Sequence, residues 1–183
     1  LPISKNPHIP TEYLLKLFKT TIVPTSKFEL GAALLRRVKD VPEQKQVLLD
    51  AVLSMTNKNN SIFEPVKSTV KKHLSSKDLI YFCNKTTGRA NQYGYRKWMF
   101  KVIISRFSKN PANEKALADY LISFIGTREF ESLEETTAKA LAESTLYSIS
   151  ELDKLKAKCK YLRSKKHLLL AQIKQDKQGF RNP

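Results

Sequence analysis

Apolar residues in this chain recur at intervals of three and four and almost never alternate, a spacing that commits it to helix rather than sheet. Phe28, Leu30, Ala33, Leu34 and Val38 form one such series, and Val47, Leu48, Ala51, Val52 and Met55 form another. Helix-start chemistry precedes these runs. Ser26 with Glu29, Ser61 with Glu64 and Ser148 with Glu151 each have the form of a capping box, in which hydroxyl and carboxylate satisfy free backbone N–H groups reciprocally. Pro42 and Pro111 stand where first-turn prolines open helices, and Gly126 where one closes. The weak strand candidate, TTIVPT, is interrupted by Pro24.

These signals predict an all-α fold: an array or bundle of about eight short helices followed by a longer basic amphipathic C-terminal helix. The expected division is a helical domain over residues 1–147 and an appended helix and tail over 148–183, starting from the Ser148 box. The boxes at Ser26 and Ser61 lie 35 residues apart, as in helical repeats. The residues after each box differ, so no repeat consensus emerges.

Several chemistries find no support in the sequence. The five glycines are scattered, and a phosphate-cradling loop needs them clustered. Two cysteines, Cys83 and Cys159, and three histidines, at 8, 73 and 167, show no metal-ligand spacing. Glu134 and Glu135 are paired carboxylates, but in the first turn of a predicted helix, where the dipole favours acids in any case. The expectation is a non-enzymatic protein with no cofactor and no bound metal. No apolar run approaches the length of a membrane span. A start at Leu1 rather than methionine is read as a processed or trimmed chain.

Charge is the strongest functional signal. The net charge is +16, and it is segregated along the chain. Residues 79–113 hold seven cations and no acid, residues 114–153 hold three cations and nine acids, and residues 154–183 hold ten cations and one acid. Such a balance points to an anionic partner, with RNA first, other nucleic acid next, and an anionic membrane surface behind them.

Within the acid-free block, Tyr81, Phe82, Tyr93, Tyr95, Trp98, Phe100 and Phe107 are interleaved with cations. Aromatic faces stack on unpaired bases while cations neutralise phosphates. Helical spacing instead assigns Trp98, Phe100 and Phe107 to a core, with the cations left on the solvent face. The candidate nucleic-acid contacts are Lys85, Arg89, Asn91, Arg96, Lys97 and Lys101, joined by Lys158, Arg163, Lys165 and Lys166 near the C-terminus. The clusters Arg36, Arg37, Lys39 and Lys71, Lys72, His73 are expected merely to complement helix C-terminal dipoles.

The last segment carries a heptad: Leu152, Cys159, Lys166 and Ile173 at a, with Leu155, Leu162, Leu169 and Asp176 at d. A helix with this stripe either folds back on the acidic segment before it, leaving the central block as the binding surface, or projects and docks elsewhere. Projection is the expectation, with Leu155, Leu162, Leu169 and Ile173 touching a protein partner or a larger ribonucleoprotein assembly. The alternative function is therefore a helical scaffold or adaptor. Composition favours the mitochondrial matrix as its home, with nucleolus or nucleus as the alternative.

Overall fold

The computed structural model describes residues 3–56, 64–85, 93–127 and 131–179, and side chains within 3–54, 66–85, 97–127 and 131–178. Among the described residues the fold is all helical. The α-helices are α1 (Thr11–Thr20), α2 (Pro24–Arg36), α3 (Lys45–Thr56), α4 (Glu64–His73), α5 (Ser76–Lys85), α6 (Tyr93–Lys109), α7 (Lys115–Ile122), α8 (Glu131–Glu143), α9 (Ile149–Lys158) and α10 (Leu162–Gly179). Short 3-10 turns precede α3 and α7, at Pro42–Gln44 and Pro111–Asn113. The chain forms two compact units, Leu1–Met99 and Phe100–Pro183, with the division inside α6.

In the first unit α2 is the central element, packed by α1, α3 and α4. Its sequence explains the position. Phe28 and the run from Leu30 to Leu35 are all buried, so the helix is apolar on every side rather than along one stripe. Each large side chain so buried contributes about 1.5–3 kcal/mol of transfer free energy. The start of α2 differs from expectation. Pro24 opens it after Val23, with no side-chain cap, and Ser26 lies inside the first turn. Proline at the helix start needs no N–H partner, and it outweighs the serine two residues on. The box at Ser61 falls outside the described residues.

An unforeseen box does cap α5. The Ser75 N–H donates to Asp78 Oδ2 (3.2 Å), and the Asp78 N–H donates to Ser75 Oγ (3.2 Å). The buried Asp78 carboxylate also meets the Lys45 ammonium at the start of α3, tying α5 to α3.

The second unit is organised around α8, which packs against α7 and α10, while α10 packs against α9. The Ser148–Glu151 capping box opens α9 as expected. The far end of that helix departs from expectation. It stops at Lys158, Cys159 adopts extended backbone (φ −62°, ψ 136°), and α10 returns alongside α9. The single projecting helix is thus a hairpin folded against α8.

The cause lies in a distant residue. Glu134 of α8 is 2% exposed, and its carboxylate accepts backbone hydrogen bonds from Lys160 (3.1 Å), Tyr161 (3.1 Å) and Gly126 (2.9 Å). These N–H groups lie in the turn between α9 and α10 and in the turn after α7. Gly126 fits the junction for two reasons. Its φ of +81° is left-handed, and a Cβ there would lie 2.5 Å from the Lys158 carbonyl oxygen.

Polar side chains close the hairpin's other end. Gln172 Nε2 donates to the Ile149 carbonyl (3.1 Å), Gln175 Nε2 to the Tyr147 carbonyl (2.9 Å), and Lys156 Nζ to Gln172 Oε1 (3.0 Å).

Burial alone would raise the Glu134 pKa, but the N–H groups of Tyr161 and Gly126, with the Ser164 hydroxyl and the Lys160 N–H, hold it below the ordinary carboxylate value. Ser164 Oγ acts from outside strict hydrogen-bond geometry, since it is buried with no partner that meets it. A depressed folded pKa gives stability that is present above the unfolded value and is lost as pH falls through the folded one. Glu134→Gln should therefore cost about 1–2 kcal/mol near neutral pH, and Glu134→Leu more, because it leaves buried N–H donors unpaired. Urea titration at neutral and acid pH checks both, and the Gln penalty should shrink in acid. Gly126→Ala should cost about 1–3 kcal/mol in the same assay.

Candidate nucleic-acid interface

Cations reach the surface of each unit in separate groups. On α6, Lys97 and Lys101 are one helical turn apart, both exposed, and neither pairs with an acid among the described residues. Phe100 and Phe107 of the same helix are buried, with Phe100 edge-on to Phe124 at 4.8 Å. They are core, as the helical spacing implied, and offer no face to a base. Trp98 is half-buried.

The other aromatics fare similarly. Phe82 is fully buried. Tyr81 donates its O–H to Asp50 Oδ1 (2.6 Å), and its pKa is pushed up to about 12, by burial first and then by the Asp50 hydrogen bond and charge. Lys85, exposed at the end of α5, sits 5.5 Å over the Tyr81 ring. Arg89, Asn91 and the side chains of Tyr93, Tyr95 and Arg96 lie outside the described residues.

The α9–α10 hairpin gathers Lys158, Arg163, Lys165 and Lys166 within nine positions of its turn. Lys158 and Lys166 are exposed and Lys165 is half-buried. Arg163, with its side chain 74% exposed, approaches Glu135 at 4.0 Å, a contact too long and too solvated to neutralise it.

The structure also assembles a cationic group that the sequence left as two unrelated clusters. The packing of α2 against α4 brings Arg36 and Lys39 toward Lys72 and His73. Burial lowers the His73 pKa, and the charges of Lys72, Arg36 and Lys39 lower it further. The same repulsion acts within the pair at the helix end. The Arg36 pKa is lowered by burial and then by Arg37. The signal was present as RRVK and KKH at two helix ends, but nothing local told that the ends meet.

Arg37 has a different task. Its guanidinium donates to the carbonyls of Ile9, Asn6 (2.8 Å) and Pro7 (3.4 Å), and Arg36 donates to that of Ser4 (3.1 Å). A planar fork with several donors suits a turn of converging carbonyls.

The partner-binding candidates separate into two sets. Leu155 is buried within the second unit, as are Leu152 and Cys159. Leu162 is 82% exposed, Leu169 45% and Ile173 41%. The break at Cys159 thus splits the heptad, turning its first three members inward and the rest outward. The inward face of α10 is carried by Ser164, Leu168 and Gln172 instead.

The Cys159 thiol is pushed up to about 11, by burial first and then by the Glu134 charge, so it is held protonated and inert at neutral pH. Among the described residues no three His, Cys, Asp or Glu side chains come together as metal ligands, and no helix is long and apolar enough to cross a membrane. No family model, curated protein or solved structure matches the chain.

Arg37→Ala should cost about 1.5–3 kcal/mol, the scale of hydrogen bonds made by a charged group, and should speed amide exchange across residues 3–9. Lys39→Ala, two residues away and exposed, should change neither by a measurable amount.

Proposed function

We propose that the protein is a non-enzymatic RNA-binding component of a ribonucleoprotein assembly that holds the phosphate backbone with basic helix faces. The observation that carries this is the convergence of Arg36 at the end of α2 and Lys39 in the turn after it with Lys72 and His73 of α4. Cations crowded together destabilise one another, and a bound polyanion relieves that repulsion while releasing its own counterions. Lys97 and Lys101 on α6 and Lys158 at the hairpin turn supply further phosphate contacts, with Lys85, Arg89, Asn91 and Arg96 as the remaining candidates. Because Phe100 and Phe107 of α6 face the core, the expected recognition is of backbone and shape, with little base specificity.

A helical adaptor function is favoured by a separate observation, the outward-facing Leu162, Leu169 and Ile173 of α10. The two functions use different surfaces.

Fluorescence anisotropy with a single-stranded RNA should show affinity that falls steeply with salt, by a log–log slope of about −0.7 per phosphate engaged. Reversing Lys97 and Lys101 together to glutamate should weaken binding on every sequence and flatten the slope by about 1–2. Unchanged affinity and slope would remove α6 from the interface. A phosphate near His73 restores its charge, so binding takes up a proton. Affinity should rise as pH falls from about 7.5 to about 6, and His73→Gln should abolish that rise.

A further inference from the structure

We infer that the outward face of α10 docks an amphipathic helix of a partner protein whose flanks are acidic. This identifies the partner class for the adaptor function above, rests on that function, and does not depend on RNA binding. The unusual fact is that α10 carries an exposed apolar line besides the face it buries. Ser164, Leu168 and Gln172 face the body of the unit, and Leu162, Leu169 and Ile173 lie about a third of a turn away, toward solvent. Leu170, 52% exposed, widens the outer strip. A helix already seated on α8 and α9 has no folding reason to carry a second line of leucines.

The spacing fixes the shape of what fits. Leu162, Leu169 and Ile173 are separated by seven and four residues, and Lys166 fills the gap as the fourth member of the line. That is the seam one helix presents to another, over roughly three turns. Leu170 also forms part of a groove of about 330 Å³ between α8 and α10, whose walls include Lys139 with its partner Glu143, His167 and Lys174. A second helix laid along the seam would set its flanking side chains against Lys174 and Lys177 on one side and Lys165 on the other.

Charge selects the occupant. Lys166, exposed in the middle of the seam, requires one acidic side chain opposite it and thereby sets the register of the pair. A second copy of this chain would bring Lys166 and its neighbours against their own kind, with Asp176 the lone acid on α10. A bilayer offers hydrocarbon to the centre of the strip, where Lys166 sits, and anionic headgroups to the edge, where Asp176 sits. Neither matches. An acidic-flanked helix complements Lys165, Lys166, Lys174 and Lys177, and on α10 Asp176 alone opposes it.

The test uses the full chain and two synthetic helical peptides of about three heptads. Both carry leucine or isoleucine at a and d. One has glutamate at the central a position and along its flanks, and the other has lysine at each of those sites. Titration calorimetry should show saturable binding of the acidic peptide and none of the basic one. Leu169→Glu should weaken the acidic peptide by at least about tenfold, and so should Leu162→Glu, whose exposure makes it the variant least able to disturb folding. Lys166→Glu should weaken the acidic peptide, and a third peptide with lysine at the central a position and acidic flanks should restore binding, a charge exchange that misfolding would not mimic.

The inference is overturned if neither peptide binds, if both bind alike, or if Leu162→Glu leaves the acidic peptide unaffected. It is equally overturned if sedimentation shows a dimer that Leu169→Glu dissolves, or if the leucines are needed only for binding phosphatidylserine vesicles. Loss of RNA binding with peptide binding intact would count against the RNA function alone.

Discussion

One buried carboxylate determines the form of the C-terminal half. Glu134 collects three backbone N–H groups from two turns, and the sequence offers no other reason for the chain to reverse at Cys159–Tyr161. No proline or glycine stands there, and the local apolar pattern continues unbroken. The charge is stable in that setting because its donors are fixed before it ionises, and they outweigh the cost of removing it from water. Everything that makes the surface of this unit unusual stems from the reversal. Leu152, Leu155 and Cys159 turn into the core, while Leu162, Leu169 and Ile173 turn out.

The fate of the sequence signals depends on how far each one reaches. Apolar spacing is local, and it correctly marks α2, α3 and α6 and the core role of Phe100 and Phe107. Caps within four residues are nearly as legible, as at Ser148, although Pro24 displaces Ser26 and the box at Ser75 was overlooked. What the sequence conceals are pairings across long separations. Glu134 acts on residues 26 and 27 positions away, and Arg37 on carbonyls 28 to 31 positions away. Glu134 in the first turn of α8 and Arg37 at the C-cap of α2 both have an adequate local electrostatic explanation, which hides the tertiary one. The heptad failed for the same reason. Its period was right and its continuity was not.

The candidate surfaces depend on these tertiary choices as well. Because α2 packs on α4, two short basic runs become one crowded cationic group, and repulsion within it is what an anionic polymer would relieve. Because α10 folds back, its inner face is satisfied by Leu168 and Gln172 and its outer leucines, Leu162, Leu169 and Leu170, are left exposed. The acids and cations that adjoin in sequence on either side of Asp153 partly meet in space, as Lys156 with Asp153 (2.8 Å) shows, while Lys158 and Lys166 remain exposed.

The most direct test of this account is the distance between spin labels at Ser150→Cys and Gln178→Cys, both exposed sites, with the buried Cys83 and Cys159 left in place. A hairpin places the two labels side by side on neighbouring helices, within about 25 Å once their linkers are included. An unbroken helix would hold them about 40 Å apart. The short distance in the wild-type background, lengthened or broadened by Glu134→Leu, is the predicted result. A single distance near the longer value would contradict the account, because Glu134 would then have no turn to hold.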